Sequence, residues 1–199
     1  MIEMLISLGI FAIVTGFVMA NFRTGSQSDE LRISAQLVAN GIRRVQTSAM
    51  AGQTVKFCRD SSTGADGLIC SNGGDADCPA GSSCVNDVPS GGYGIHFEAT
   101  EEGKHTMVSF IDTDGDRLFD PQEEYRREGV SPDIFVSVSG LTPSAPGPAL
   151  DIVFVPPKPS VFFNAASDEA QAVITLQHRS TLNTKDVTIN AVSGQVSAD

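Results

Sequence analysis

The chain has 199 residues, of which 24 are acidic and 13 are basic, so its formal net charge is -11 at pH 7. An acidic excess of this size opposes binding to a polyanion such as DNA or RNA, because like charges repel. The sequence has no Gly-rich phosphate loop and no H-E-x-x-H metal motif, and its three histidines are scattered, so we expect no catalytic residue and no enzyme activity.

Residues 1–23 form an apolar run that carries one carboxylate, Glu3, near its start. No charged residue occurs from Met4 to Ala20, and a helix of that length spans roughly 26 Å, close to the ~30 Å hydrocarbon core of a bilayer. The pattern therefore predicts a transmembrane helix. An unpaired carboxylate in hydrocarbon costs at least ~2.5 kcal/mol, so we expect Glu3 to pair with the N-terminal amine of a neighbouring copy. A plain membrane anchor, with Glu3 at the headgroup boundary, is the alternative.

The residues Ile2-Glu3-Met4-Leu5-Ile6, followed by Gly9-Ile10-Phe11, resemble the N-terminus of mature type IV pilins and type II secretion pseudopilins. In that family a leader is removed ahead of a methylated Phe, and the acid lies four residues after this Phe. Here Glu3 lies only two residues after Met1, so the start of the chain departs from the family pattern.

Residues 24–52 are predicted to continue as an amphipathic helix. Apolar residues recur there in steps of three and four, which is typical of a helix with one buried stripe. The stripe consists of Leu31, Ala35, Val38, Ile42, Val45 and Ala49. Gly52 is expected to end the helix, because glycine readily adopts the left-handed conformation of a C-terminal cap.

Residues 53–199 consist of short alternating segments separated by turns, a pattern that indicates an antiparallel β-rich domain. Eight strands are predicted: Thr54–Cys58, Tyr93–Glu98, Met107–Asp112, Ile134–Ser139, Leu150–Val155, Ser160–Asn164, Ala172–Gln177 and Asp186–Asn190. We expect these strands to form one domain that packs on the helical stripe.

Four cysteines, Cys58, Cys70, Cys78 and Cys84, lie in or beside a Gly-, Ser- and Asp-rich loop over residues 59–92. No C-x-x-C spacing occurs, which disfavours a zinc site or a dithiol redox motif. A domain that follows a membrane anchor is expected to lie in an oxidising compartment, so two disulfides are the simplest interpretation of the four cysteines. Three pairings are possible, and Cys58–Cys70 with Cys78–Cys84 would close the shortest loops.

The strongest chemical motif is the twelve-residue stretch from Asp112 to Glu123. Acidic side chains at positions 1, 3, 5, 9 and 12, with a backbone carbonyl at position 7, match the spacing of a calcium-binding loop. The predicted ligands are Asp112, Asp114, Asp116, Leu118, Asp120 and Glu123. Position 6 holds Arg117 where such loops use Gly, and a positive φ at a non-Gly residue costs roughly 1 kcal/mol. The alternative is an exposed acidic turn without metal.

The segment from Val108 to Asp112 with its acidic continuation is similar to the GspH/FimT branch of the pilin-like proteins, and Val55–Cys58 and Val187–Asn190 resemble the first and last strands of that branch. The resemblance implies an α+β type IV pilin fold, in which a long N-terminal helix has a membrane-embedded half and an amphipathic half packed on an antiparallel β-domain. It also implies a structural subunit of a type IV pilus or pilus-like filament that polymerises through this helix, with Glu3 at the contacts between subunits. A minor pseudopilin of a type II secretion system and a minor pilin in DNA uptake are the alternatives.

The resemblance further implies partners and a location. The partners are other copies of the chain and other pilin-like subunits, with the bacterial inner membrane holding the chain before assembly. The assembled product is an extracellular pilus or a periplasmic pseudopilus. Nucleic acid is not expected as a partner at this net charge, unless Arg126, Arg127 and Lys185 form a local basic patch.

Overall fold

The computed structural model describes residues 2–60, 66–70, 78–99, 105–142, 149–156, 160–166 and 170–198. Within these ranges the chain contains one long α-helix, α1 (Ile2–Met50), a short 3-10 helix (Pro121–Glu123) and twelve β-strands. Met1 and two parts of the predicted disulfide loop, residues 61–65 and 71–77, lie outside the described residues.

The strands are, in chain order, β1 (Val55–Asp60), β2 (Asp66–Ile69), β3 (Ser82–Asp87), β4 (Gly92–Ala99), β5 (His105–Asp112), β6 (Glu124–Gly129), β7 (Ile134–Thr142), β8 (Ala149–Val155), β9 (Ser160–Phe163), β10 (Gln171–His178), β11 (Thr184–Asn190) and β12 (Val196–Ala198). They form three antiparallel sheets, in the orders β2-β1-β3, β6-β5-β4-β8-β9 and β12-β11-β10-β7. In the five-stranded sheet β4 lies between β5 and β8, so this sheet joins a hairpin to a strand from much later in the chain.

The amphipathic half of α1 packs against the five-stranded and four-stranded sheets. All six residues of the predicted apolar stripe, from Leu31 to Ala49, are buried in the main hydrophobic core, which confirms this part of the prediction. The helix ends at Met50. Gly52 has a φ of 57°, and its N–H donates to the carbonyl of Ala49, so it forms the expected left-handed cap.

The predicted fold class, an α+β type IV pilin fold with a membrane-embedded half-helix on a single β-domain, is wrong. Among the described residues, no helix combines the length and the apolar character that crossing a bilayer requires. The described chain is mostly β, and its strands divide into three separate sheets. The run from Met4 to Ala20 counts 17 residues and includes Ser7 and Thr15, whereas a span needs about 20 predominantly apolar residues. The absence of charge alone therefore does not make this run a membrane span.

Eight strands lie within a few residues of their predicted positions, but β2, β3, β6 and β12 were not predicted. The missed strands are short or polar, and each lies at the edge of its sheet. The sequence of β6, EYRREG, has almost no apolar residue, since one side of an edge strand faces water and is protected by charge. An alternating apolar pattern does not occur in such strands.

Candidate functional site

The N-terminal half of α1 presents apolar side chains to solvent over most of its surface. Ten large apolar side chains are between 54% and 80% exposed: Met4, Ile6, Leu8, Ile10, Phe11, Ile13, Val14, Phe17, Val18 and Met19. With 3.6 residues per turn, these positions cover about two thirds of the helix circumference. The helix residues that belong to the hydrophobic core begin only at Leu31. The first half of α1 is therefore a surface that one copy of the chain leaves uncovered.

Glu3 lies in the first turn of α1 and is exposed. A carboxylate at this position is favoured by the positive end of the helix dipole. Its backbone carbonyl accepts a hydrogen bond from the Ser7 hydroxyl at 2.9 Å. The partner predicted for its carboxylate belongs to another copy, so the assembly role of Glu3 stays a prediction.

Asp112 is the first predicted metal ligand and the last residue of β5. Its side chain is fully buried, and its Oδ1 and Oδ2 accept hydrogen bonds from the N–H groups of Gly115 at 2.7 Å and Arg117 at 3.0 Å. A Cβ atom at Gly91 would lie 2.3 Å from Cγ of Asp112. Gly91 therefore leaves the space that the buried carboxylate occupies.

Asp114 and Asp116 follow on the exposed side of the same turn. Oδ1 of Asp114 accepts the N–H of Asp116 at 3.1 Å, and Oδ1 of Asp116 accepts the N–H of Leu118 at 2.8 Å. Carboxylate oxygens of Asp112, Asp114 and Asp116 lie within 4.8 Å of one another. The structure thus brings three of the predicted ligands together.

Glu123 lies at the end of the 3-10 helix and contacts the acidic loop at Thr113. Its Oε1 accepts hydrogen bonds from the N–H of Thr113 at 2.7 Å and from the Thr113 hydroxyl at 2.8 Å. Its Oε2 is buried and has no hydrogen-bond partner among the described residues. Asp120 and Glu123, two further predicted ligands, both stand outside the 4.8 Å group. Asp120 is exposed, and Leu118 belongs to the same loop.

The charge on this loop is poorly compensated. Burial raises the pKa of Asp112 to about 6 and the pKa of Glu123 to about 7, and the carboxylates of neighbouring aspartates add to both shifts. Hydrogen bonds from backbone N–H groups act in the opposite direction but do not cancel the effect of burial. A bound cation would stabilise both ionised groups.

Arg117 adopts the positive φ that its position in the loop requires, with a value of 66°. Its guanidinium carbon lies 3.7 Å from the ring centroid of Phe162, a residue of β9. A cation–π contact contributes about 0.5–2 kcal/mol, which is comparable with the cost of the backbone conformation. The departure from Gly at position 6 therefore does not prevent the turn.

The four cysteines form two disulfides, Cys58–Cys78 and Cys70–Cys84. The pairing that closes the shortest loops is not the one found. The strands bring the four sulfurs into one cluster, because β1 pairs with β3 with Cys58 opposite Cys84, and the sulfur of Cys70 lies 3.8 Å from that of Cys58 and 3.7 Å from that of Cys78. In such a cluster the separation along the chain does not decide the pairing. Since all four sulfurs are oxidised, they are not the thiolates that bind zinc.

A buried polar pair, His96 and Asp151, was missed in the sequence. These residues face each other on the paired strands β4 and β8, and His96 Nδ1 lies 2.7 Å from Asp151 Oδ1. The His96 ring also stacks on Phe119 of the acidic loop, with 4.5 Å between ring centroids. The pair forms only because β4 and β8 align with His96 opposite Asp151. These strands are distant in the chain, and sequence patterns do not reveal which of their residues face each other.

The basic residues suggested as a nucleic-acid patch have acidic neighbours. Arg126 lies 2.7 Å from Glu128, and Arg127 lies 2.6 Å from Glu124. These carboxylates reduce the positive charge that the two side chains could offer to a phosphate.

Comparisons with protein-family models, with curated proteins and with solved structures found no match for this chain. Membership of the pilin superfamily therefore stays a prediction from the sequence resemblance.

Proposed function

We propose that the chain is a structural subunit of a pilus-like helical filament that polymerises through the N-terminal half of α1. The observation that carries the proposal is the set of ten exposed apolar side chains on this half-helix. The resemblance of residues 2–11 to the N-terminus of type IV pilins supports it independently of the fold. In this function the half-helices form the filament core and the β-sheets coat it.

The distribution of the exposed side chains favours a filament over a dimer. One neighbouring helix covers only a stripe of about 100°, whereas these ten side chains extend over about 240° of the helix circumference. Covering them requires several neighbours, and each fully buried side chain contributes about 1.5–3 kcal/mol. Identical copies that meet through different faces form open helical assemblies unless the rotation closes a ring.

A groove beside α1 provides a surface to which the next copy can bind. It has a volume of about 980 Å³ and is lined by Val18, Ile33, Leu37 and Val130, among others. Val18 belongs to the exposed half-helix, so the groove continues the same apolar surface toward the β-sheets. Ile33 is 63% exposed there although it lies next to the buried stripe. An apolar half-helix from a second copy would cover Ile33 and Leu37.

The test compares one substitution at two exposed valines. Val14 lies in the half-helix and Val192 lies in a turn of the β-rich part, where it is 91% exposed. Full-length chains carrying Val14→Asp or Val192→Asp are purified in detergent, the detergent is removed, and filaments are counted by electron microscopy and by sedimentation. A charge in the filament core costs several kcal/mol, so Val14→Asp is expected to stop assembly. Val192→Asp is expected to assemble like the wild type.

Two results would overturn the proposal: a wild-type chain that stays monomeric after detergent removal, or Val14→Asp filaments at wild-type yield. Glu3→Ala and Glu3→Gln test separately whether Glu3 sets the alignment of neighbouring copies in the filament. If Glu3 pairs with an amine of the next copy, both variants are expected to lower filament yield. Circular dichroism of each variant in detergent establishes that the helix is still formed.

A further inference from the structure

The buried, unpartnered oxygen of Glu123 points to a missing ligand in the acidic loop. Glu123 is only 4% exposed, and its Oε1 is held by Thr113, the residue between the first two aspartates of the loop. Oε2 is buried and has no hydrogen-bond partner among the described residues, while the bonds of Oε1 to Thr113 hold the carboxylate against the backbone between Asp112 and Asp114. A charged group that is buried without a partner destabilises the fold, so a cation there would remove this penalty.

The three aspartates have the spacing of a calcium coordination shell. Their oxygens lie within 4.8 Å of one another, and two oxygens on opposite sides of Ca²⁺ are about 4.6–5.2 Å apart, since each Ca–O distance is about 2.3–2.6 Å. Four carboxylate oxygens of these aspartates each accept one hydrogen bond from a backbone N–H group of the loop. The donors are Gly115, Arg117, Asp116 and Leu118. A carboxylate oxygen has two lone-pair sites, so these bonds orient the side chains and leave a lone pair for a metal.

We propose that residues 112–123 bind one Ca²⁺ ion through carboxylates of Asp112, Asp114, Asp116 and Glu123. The Leu118 carbonyl and the Asp120 carboxylate complete the shell, as the twelve-residue spacing indicates. Glu123 moves toward the aspartates when the ion binds, because its carboxylate is not a member of the 4.8 Å group. Calcium is favoured over magnesium, since a shell of six or more oxygens, several of them from flexible carboxylates, does not match the small octahedral shell of Mg²⁺.

The ion has a structural role at a junction between sheets. The loop follows β5 of the five-stranded sheet, and its 3-10 helix contacts β2. Strand β2 belongs to the three-stranded sheet β2-β1-β3, which we call the disulfide-bonded sheet. Phe119 of the same loop stacks on His96 of β4. Fixing Asp112 and Glu123 on one ion therefore holds the disulfide-bonded sheet against the larger sheet. The site does not depend on filament assembly.

The experiment uses the full chain in non-ionic detergent after treatment with EDTA. Thermal unfolding is measured without metal, with 1 mM Ca²⁺ and with 1 mM Mg²⁺, and calcium titration calorimetry gives the stoichiometry. Ligand binding to the folded state alone raises its stability by mass action. We expect one Ca²⁺ per chain, a rise in Tm on the order of 5 °C with calcium, and no comparable rise with Mg²⁺.

Three variants define the site. Glu123→Gln and the double variant Asp114→Asn/Asp116→Asn keep size and hydrogen-bond acceptors but remove charge, and we expect each to weaken calcium binding by at least about tenfold. Asp133→Asn, an exposed acid outside the loop, is the matched control and is expected to respond like the wild type. Because the loop variants remove repulsion, their metal-free Tm should equal or exceed that of the wild type, so misfolding is recognised as a fall in Tm.

The proposal is overturned if calorimetry detects no calcium binding up to 10 mM, or if the double Asp→Asn variant binds as well as the wild type. Equal responses to Ca²⁺ and Mg²⁺ would contradict the coordination shell. These results bear only on the loop, because filament formation is measured with separate variants in the half-helix.

Discussion

The guanidinium carbon of Arg117 lies 3.7 Å from the centroid of the Phe162 ring, which connects the acidic loop to strand β9. Arg117 has a positive φ of 66°, a conformation that most L-residues avoid. The contact thus occurs at the residue whose backbone is least favourable. Side-chain packing compensates for a backbone cost that glycine would not incur.

Arg117→Ala is expected to destabilise the protein more than Arg117→Gly. Alanine loses the contact with Phe162 and keeps the strained φ, whereas glycine loses the contact but relieves the strain. The difference in unfolding free energy between the two variants should be about 1 kcal/mol. Urea unfolding of both variants in EDTA measures it without any contribution from metal. Equal stabilities would show that the backbone at position 117 is not strained.

Much of the secondary structure could be predicted because local patterns determine it. The stripe from Leu31 to Ala49 repeats with the helical period, and it forms the helix face that is buried against the sheets. The strands of the core, such as β8 with five consecutive buried residues, are apolar enough to be found. The division into three sheets could not be predicted, because it depends on which strands pair and on polar edge strands such as β6.

Glu128 connects α1 to β6 through Arg44, and this pair is expected to give a pH-dependent contribution to stability. Arg44 donates two hydrogen bonds to Glu128, at 3.0 and 3.2 Å, and Arg126 lies 2.7 Å away. The hydrogen bond from Arg44, with the charge of both arginines, lowers the pKa of Glu128 from its ordinary value of 4.5. A depressed pKa in the folded state means that the stabilisation is complete above the unfolded pKa and is lost as pH falls through the folded pKa.

Glu128→Gln should therefore cost up to about 1 kcal/mol at pH 7, the range for a partly exposed ion pair. The difference from the wild type should shrink as pH is lowered below 4.5, because protonated Glu128 no longer forms the ion pair. Urea unfolding at pH 7 and at pH 3 measures both values. Asp133→Asn serves as the control for a general charge effect. A pH-independent difference would show that packing, and not charge, accounts for the loss.

The two disulfides give a prediction about connectivity. Proteolysis under non-reducing conditions followed by mass spectrometry should identify Cys58–Cys78 and Cys70–Cys84, and all four thiols should resist alkylation. The linked residues are separated by 20 and 14 positions, and in the chain-entropy model loops of this size correspond to about 3 kcal/mol each. Replacing both members of one bond with alanine should lower stability by about that amount. Recovery of a Cys58–Cys70 peptide would contradict the pairing.

The acidic loop shows which parts of a site the sequence determines. Its twelve-residue spacing predicted a ligand set of Asp112, Asp114, Asp116, Leu118, Asp120 and Glu123. The structure brings the carboxylates of the first three within 4.8 Å of one another, and Asp120 and Glu123 stand outside this group. The sequence did not reveal that Glu123 is held by Thr113, or that Gly91 leaves room for Asp112. Both facts depend on neighbours that tertiary packing brings close, so spacing along the chain carries no information about them.

The same substitution at two isoleucines distinguishes the role of the buried face of α1 from the role of its exposed face. Ile42 is fully buried against the sheets, and Ile33 is 63% exposed beside the groove. Ile42→Ala removes buried methylene groups and leaves a cavity, so it should cost about 2–5 kcal/mol in unfolding free energy. Ile33→Ala should change the stability of the monomer by no more than about 0.5 kcal/mol. If a second copy binds in the groove, Ile33→Ala should nevertheless reduce filament yield. Urea unfolding in detergent and sedimentation after its removal measure the two effects on the same samples. A large loss of monomer stability in Ile33→Ala would mean that this side chain packs within its own chain, and the groove would then no longer support assembly.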